Sequence, residues 1–393
     1  MLPRGVWQKD TEDDGDAGTL GRPGAVLNQI SVAVIGLGFG EHFVPIYQRH
    51  PDVHEVVLCD PDPERLREVG DRHGVRRRFA SLDALLDAPG VDAAHLLTPL
   101  LLHAAQSVRV LRSGRHCACA VTMGVSLDEL RAVIAAQKAS GKNYMMMETV
   151  VYSREFLYVK DLYARGELGD LTFLRGVYFQ DVEGRDPYWQ SVPPMHYATH
   201  AVAPLLALTG TRATRVHCLG SGLLSSHLHQ PGANPFRLET GLFRLEDPSL
   251  AAEVTRSWFE TARPYIEGFH VYGTKKGFEW SHLPGDRPSL FTLGDERTPY
   301  GRPVEVARLT LPDYADRLPP EIREFTQYEA DGAHGGSHPH LVHEFVRSIV
   351  ESRPPAIDAL TAATWTAPGL CAHESALRDG EAVTIPAFTA PTA

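Results

Sequence analysis

The stretch Ser31-Val32-Ala33-Val34-Ile35-Gly36-Leu37-Gly38-Phe39-Gly40 constrains this chain more than any other. An apolar run of strand length ends in glycines, and a helical pattern follows from about Glu41 to Arg49. A second apolar strand, 55–59, ends in Asp60. A buried parallel strand that feeds a helix through a glycine turn is built to hold a pyrophosphate. The glycines let backbone N–H groups approach it, and the helix N-terminus favours its negative charge. Asp60 lies 24 residues after Gly36, where a carboxylate accepts hydrogen bonds from an adenosine ribose. A carboxylate there repels a 2′-phosphate, so the pattern points to NAD rather than NADP. In the G-x-G-x-x-G register Gly36 and Gly38 match, with Phe39 between them and the next glycine. The third position is Glu41, and the glycine comes one residue early, at Gly40. A slightly wider turn is therefore expected.

From residue 30 to about 150 strands and helices alternate. The strands are expected at 31–35, 55–59, 75–79, 93–97, 116–121 and 144–147. The helix over 126–140 carries a capping pattern, Ser126 with Glu129 three residues on, and stops at Gly141. Beyond residue 150 the rhythm changes. A helix at 154–164 precedes longer alternating runs at 171–180, 213–220, 240–246, 251–260 and 269–273, which read as an antiparallel or mixed sheet. Helices over about 339–351 and 358–378 close the pattern. The expected fold is α/β: an N-terminal Rossmann domain, a doubly wound parallel sheet over 30–150, and a C-terminal α+β domain over 151–393. The second domain would be built on a large open, mainly antiparallel sheet, with the site in the cleft between the two. Residues 1–29, with the acidic run Asp10–Asp16, read as a disordered tail without an apolar export segment.

A formal net charge of −11 argues against non-specific nucleic-acid binding and against an anionic membrane surface. No apolar segment approaches the roughly 20 residues of a spanning helix. Five cysteines at scattered positions form no disulfide framework, which fits a cytoplasmic protein.

Four clusters could carry chemistry. Thr98-Pro99 with His103 lies at the C-terminal end of a parallel strand, where ligands sit in such sheets. His196, Tyr197 and His200 precede an apolar helix; the two histidines are four residues apart, so they can share a helix face. Histidine and tyrosine are natural proton carriers when a sugar hydroxyl becomes a carbonyl. His334-Gly335-Gly336-Ser337-His338-Pro339-His340-Leu341-Val342-His343 reads as a polar loop closing on a substrate, with His338 as the candidate contact. No carboxylate or thiolate stands at a clear ligand spacing beside it, so no metal is expected. Glu148 and Tyr152, at the end of the sixth strand, are candidate substrate contacts.

The glycine turn, Asp60, Thr98-Pro99-x-x-x-His103 and the later α+β region resemble the Gfo/Idh/MocA family over nearly all of 30–390. The resemblance implies NAD(P)-dependent chemistry on sugars and cyclitols, and a homodimer or homotetramer that buries the open sheet face. That family usually carries Glu-Lys-Pro after the fifth strand, with the lysine serving the reacting hydroxyl. Here the place reads Ala120-Val121-Thr122. Val121, Met146-Met147-Glu148, Tyr152-Ser153-Arg154-Glu155, Tyr197-Ala198-Thr199-His200 and the His-Gly-Gly segment are similar to the branch that contains the NAD-dependent α-N-acetylgalactosaminidases. Those enzymes oxidise the sugar at C3, eliminate the aglycone, add water and reduce again. The resemblance implies Tyr197 and His200 as acid/base residues. Net oxidation of a hydroxyl and redox-neutral cleavage both stay open, as does a non-catalytic binding role.

Overall fold

The computed structural model describes residues 29–228, 234–327 and 334–388. Apart from Gln29, the acidic segment 1–29 lies outside them. The first sheet has strands β1 (Ile30–Ile35), β2 (Val53–Cys59), β3 (Arg78–Phe79), β4 (Ala93–Leu96), β5 (His116–Ala120) and β6 (Tyr144–Met147). Their order is β3-β2-β1-β4-β5-β6, every pair parallel. β1, β4 and β6 are buried along their whole length, as strands covered by helices on both faces must be. The covering helices are α1 (Leu37–Gly40), α2 (Val44–Arg49), α3 (Pro63–Arg72), α4 (Leu82–Asp87), α5 (His103–Arg112) and α6 (Leu127–Ser140). Ser126 caps the Glu129 N–H, and α6 ends on Gly141 at φ 64°, a left-handed conformation that glycine reaches without strain.

Two local expectations change. The first helix starts at Leu37, directly on the glycine turn, and Gly40 takes the packing role of the missing third glycine. A Cβ on Gly40 would sit 3.1 Å from both Leu97 Cδ1 and Val34 Cγ1. The strand expected at 75–79 shrinks to two residues, because the Val75 N–H closes onto the Gly70 carbonyl at the end of α3.

After α7 (Arg154–Ala164) comes the second sheet: β7 (Leu171–Phe179), β8 (Ala213–Leu223), β9 (Phe236–Leu245), β10 (Ala251–Ser257), β11 (Ile266–Gly273), β12 (Lys276–Glu279), β13 (Ser289–Leu293), β14 (Val304–Arg308) and β15 (Val383–Thr384). Its order is β14-β13-β12-β11-β7-β10-β9-β8-β15, antiparallel except for the β10–β7 pair. Strands β12 to β15 were not expected. β12 and β15 are short, and β14 is exposed throughout, so none carries a clear alternation. Helix α8 (Thr199–Thr209) lies on β7, β10 and β11; α10 (Ala359–Leu377) packs on β8 and reaches α6 and β6 of the first domain, and α9 (His338–Val350) packs against α2. Gly176 of β7 sets the depth of α8: a Cβ there would stand 2.1 Å from the Ala201 carbonyl oxygen. That close approach brings the His200 ring within 5.6 Å of Tyr178. Among the described residues no helix is long and apolar enough to cross a membrane.

Candidate active site

A cavity of about 1470 Å³ opens between the C-terminal ends of the first sheet and the α8 face of the second. It exceeds the roughly 300–1,000 Å³ of a pocket for one small ligand. At one end it is lined by Gly36, Gly38, Phe39, Asp60, Thr98, Pro99 and Val121, and at the other by Tyr178, Trp189, Tyr197, His200, Glu267 and His334.

The first end fits a dinucleotide. Gly36 has φ +88°, and a Cβ on it would lie 2.6 Å from the Leu97 carbonyl oxygen, so only glycine makes this turn without a clash. A Cβ on Gly38 would meet nothing within 4 Å; its absence leaves room for a phosphate to reach the backbone. Asp60 closes the same end. Its Oδ2 accepts the Leu37 N–H at 2.7 Å and its Oδ1 accepts the Asp62 N–H at 2.9 Å. A carboxylate has about four acceptor sites, so two stay open to ribose hydroxyls. These residues would hold the NAD adenosine and pyrophosphate.

His103 lines the cavity, but both its ring nitrogens are taken. Nδ1 bonds the Thr122 carbonyl and Nε2 the Thr98 carbonyl, each at 2.8 Å. Two acceptors require both nitrogens to donate, hence an imidazolium. Burial opposes that charge, but Cys119 and the two carbonyls outweigh it and push His103 up to about 9. The residue ties together the two loops that follow β4 and β5, rather than offering a nitrogen to the cofactor.

At the other end His200 is 4% exposed. Its Nδ1 bonds Glu148 Oε1 at 2.8 Å and lies 3.6 Å from Glu267 Oε1, which leaves Nε2 for a ligand. Burial opposes the charged ring, but Glu148 and then Glu267 prevail and hold His200 up to about 9. Glu267 is in turn fixed by the Tyr265 hydroxyl, which donates to Oε2 at 2.5 Å. Burial works against its charge, yet His200, His334 and Tyr265 keep its pKa below the ordinary range. Tyr197 stands in an aromatic wall, its ring 5.3 Å from His200, 5.5 Å from Trp189 and 5.4 Å from Trp258. Burial pushes its phenol well above the usual value, so it holds its proton at neutral pH.

Several expected contacts lie elsewhere. His196 does not share a helix face with His200, because the chain runs as a 3-10 turn over Pro194–Tyr197 and α8 begins only at Thr199. His196 instead packs on His373, ring centroids 5.0 Å apart, at a separate small pocket. Glu148 does not line the cavity; wholly buried, it acts behind His200. Tyr152 is buried and does not line it either. His338 lies behind the cavity against Phe43, and His334 takes the lining place, its Nδ1 3.2 Å from His338 Nε2. Gly40 packs under Leu97 instead of facing the cofactor space. Among the described residues no group of three or more metal-ligating side chains occurs.

Glu267, Tyr178 and Tyr265 were not singled out from sequence. Glu267 carried one signal, a carboxylate inside the buried run Ile266–Val271.

Comparison with known proteins agrees with this layout. The Gfo/Idh/MocA model (oxidoreductase family, NAD-binding Rossmann fold) matches residues 30–148, and the glycosyl hydrolase 109 C-terminal domain matches 256–392. A glycosyl hydrolase family 109 protein from Stenotrophomonas maltophilia is 25% identical over 418 residues, covering 92% of this chain and 89% of its own. One from Saccharopolyspora erythraea is 24% identical over 398 residues, covering 92% and 83%. Among solved structures, levoglucosan dehydrogenase with NADH and levoglucosan superposes with TM-score 0.74 at 18% identity, over 91% of this chain and 100% of that one. Myo-inositol 2-dehydrogenase from Lactobacillus plantarum gives 0.71 at 16% identity, over 91% and 100%. The chain thus joins a domain of the Gfo/Idh/MocA oxidoreductase family, with its NAD-binding Rossmann fold, to a glycosyl hydrolase 109 C-terminal domain.

Proposed function

We propose that the enzyme oxidises a hydroxyl of a sugar, glycoside or cyclitol with NAD, using Tyr197 and His200 as proton carriers in place of a lysine. The observation that carries this reading is the buried Glu148–His200 pair, which opens beside Tyr197 onto the cavity that the glycine turn also lines. NAD held at Gly36, Gly38 and Asp60 would supply the hydride acceptor. Val121 lines the cavity where the family lysine would stand and can move no proton. Once its Nε2 proton has left to solvent, His200 takes the hydroxyl proton on Nε2 as the hydride departs, while Glu148 fixes its Nδ1, the arrangement of an oriented acid/base. Tyr197 supplies a neutral O–H donor, and its ring, with Trp189, offers apolar faces to a sugar. Glu148, Tyr152 and His338 serve from behind, not by touching substrate. In this reading residues 30–150 carry the cofactor and 151–393 the substrate.

The glycosyl hydrolase 109 C-terminal domain favours a second reading, redox-neutral glycoside cleavage with resident NAD. The same residues would then also take a proton from carbon and hand one to the leaving oxygen. Incubation with aryl glycosides, following aglycone and NADH together, separates the two. Stoichiometric NADH without aglycone supports net oxidation; aglycone without NADH supports cleavage. If Tyr197→Phe and His200→Ala both leave turnover unchanged, the proton-carrier assignment fails.

Leu219, Leu223 and Leu242 form an exposed apolar patch on β8 and β9. A second copy covering this sheet face, in a homodimer or homotetramer, fits them, and sedimentation at the 43.2 kDa mass of a single chain would rule that out. Five buried free thiols suit the cytoplasm.

A further inference from the structure

Four strands of the second sheet place a row of polar residues side by side. Glu239 of β9 pairs with Arg256 of β10, Arg256 with Tyr178 of β7, and Tyr178 with Glu267 of β11. The outer members are occupied: Glu239 bonds His373 at 2.6 Å and the Met195 N–H at 2.8 Å, and Glu267 holds Tyr265 and faces His200. Arg256 is different. It is 0% exposed and forms no ion pair among the described residues. Its Nη1 donates to the Ser257 and Tyr178 carbonyls, whereas Nε and Nη2 have no hydrogen-bond partner among them. The guanidinium is instead sandwiched between the Tyr178 ring at 3.7 Å and the Trp258 ring at 3.8 Å, and stands 6.0 Å from the Tyr197 ring.

A buried cation without a carboxylate is costly, and two aromatic faces recover only part of that cost. Packing alone would be served better by methionine or leucine. What a fixed charge adds here is a field. Tyr178 stands between the guanidinium and the His200 ring, 5.6 Å from the latter, and the Tyr197 ring lies 5.3 Å from His200 and 6.0 Å from the guanidinium.

We propose that Arg256 is a positioning residue whose charge sets the proton affinity of the His200–Tyr197 pair, as counterweight to Glu148 and Glu267. Two carboxylates bind the His200 proton firmly, and an imidazolium that never releases its proton is no acid. A cation behind Tyr178 loosens that proton. The same cation favours a phenolate on Tyr197, formed where its proton passes to the leaving oxygen of a cleaved glycoside, because a negatively charged ring attracts a guanidinium more than a neutral one. Every charged or titratable group facing the pair takes part: Glu148, Glu267 and Tyr265 on one side, Arg256 and Tyr178 on the other, with His334 stacked 6.3 Å from His200. The inference rests on Tyr197 and His200 as the proton carriers.

The test is the titration of His200 in the NAD-loaded enzyme, read by imidazole NMR with His200→Ala as the assignment control, beside the pH profile of kcat. In Arg256→Met both midpoints are expected to move up by about 1 unit, with KM little changed. Arg256→Lys keeps the charge and is expected to leave the midpoints in place. Folded, NAD-binding Arg256→Met with an unmoved His200 midpoint overturns the proposal. So does an Arg256→Lys midpoint that shifts, which decides the matter if the methionine variant does not fold. If His200→Ala retains full turnover, the reading of the carriers fails, and the NMR midpoint still reports what Arg256 does to the ring.

Discussion

The sharpest consequence of the site geometry concerns Glu148→Gln. Glu148 Oε1 accepts the Val150 N–H at 2.9 Å as well as bonding His200 Nδ1, and an amide oxygen can keep both contacts. The substitution therefore removes charge and little else. Wild-type His200 stands at about 9 against an ordinary 6.5, so its raised proton affinity contributes about 3 kcal/mol at about 1.4 kcal/mol per unit. The sign follows from linkage: the folded pKa is the higher one, so this stabilisation is complete below about pH 6.5 and disappears as pH rises through about 9. With glutamine in place, burial acts on the ring with only Glu267, at 3.6 Å, to oppose it. The expected midpoint falls toward or below the ordinary histidine value. Thermal denaturation between about pH 6 and pH 10 should show the wild type losing an increment on the alkaline side that Glu148→Gln lacks. The acidic side of the kcat/KM profile for oxidation, where the ring must lose its proton to accept the hydroxyl's, should move down with the midpoint. A variant that folds and titrates His200 at the wild-type pH would refute the charge argument.

Three further perturbations follow from the cofactor end. Gly36→Ala puts a Cβ 2.6 Å from the Leu97 oxygen at φ +88°, so about 1–3 kcal/mol of stability and most NAD affinity should go; wild-type affinity by calorimetry would contradict this. Asp60→Ala removes the anion that repels a 2′-phosphate while Arg65, 3.8 Å from it, stays. NAD binding should weaken and the NADP-to-NAD affinity ratio rise, and an unchanged ratio would speak against Asp60 as the discriminator. His103→Phe loses two charged hydrogen bonds, about 1.5–3 kcal/mol each as an upper range. The loss should be largest below pH 6.5 and shrink as pH rises through about 9, where the wild-type imidazolium gives up its proton and one of its two bonds; equal melting at neutral pH would disprove the tie.

The cofactor end was legible because its parts are close in the chain. Gly36, Gly38 and Asp60 belong to one strand–helix–strand unit, and local pattern encodes such a unit. The other end draws on Glu148 after β6, His200 on α8 and Glu267 on β11, residues that meet only because Gly176 lets α8 settle onto β7. No spacing rule reaches across those separations. His196 was misplaced for a local reason: spacing by four assumes an unbroken helix, and the chain turns at Ala198. His334 was passed over for His338 because the left-handed conformations of Gly335 and Gly336, φ 63° and 78°, turn the loop so that its first histidine faces the cavity. The outer strand β14 escaped because an exposed edge needs no apolar alternation, and β12 because four residues are too few to show one.

One contact binds the two halves in a further sense. Glu148 terminates the first sheet, and its partner His200 opens a helix on the second, 2.8 Å away. Any slippage of one layer against the other lengthens that distance and loosens the ring's grip on hydrogen. The protonation of the site is thereby a gauge of how tightly the molecule is shut: closed, it stores an acid; ajar, it spills one to solvent.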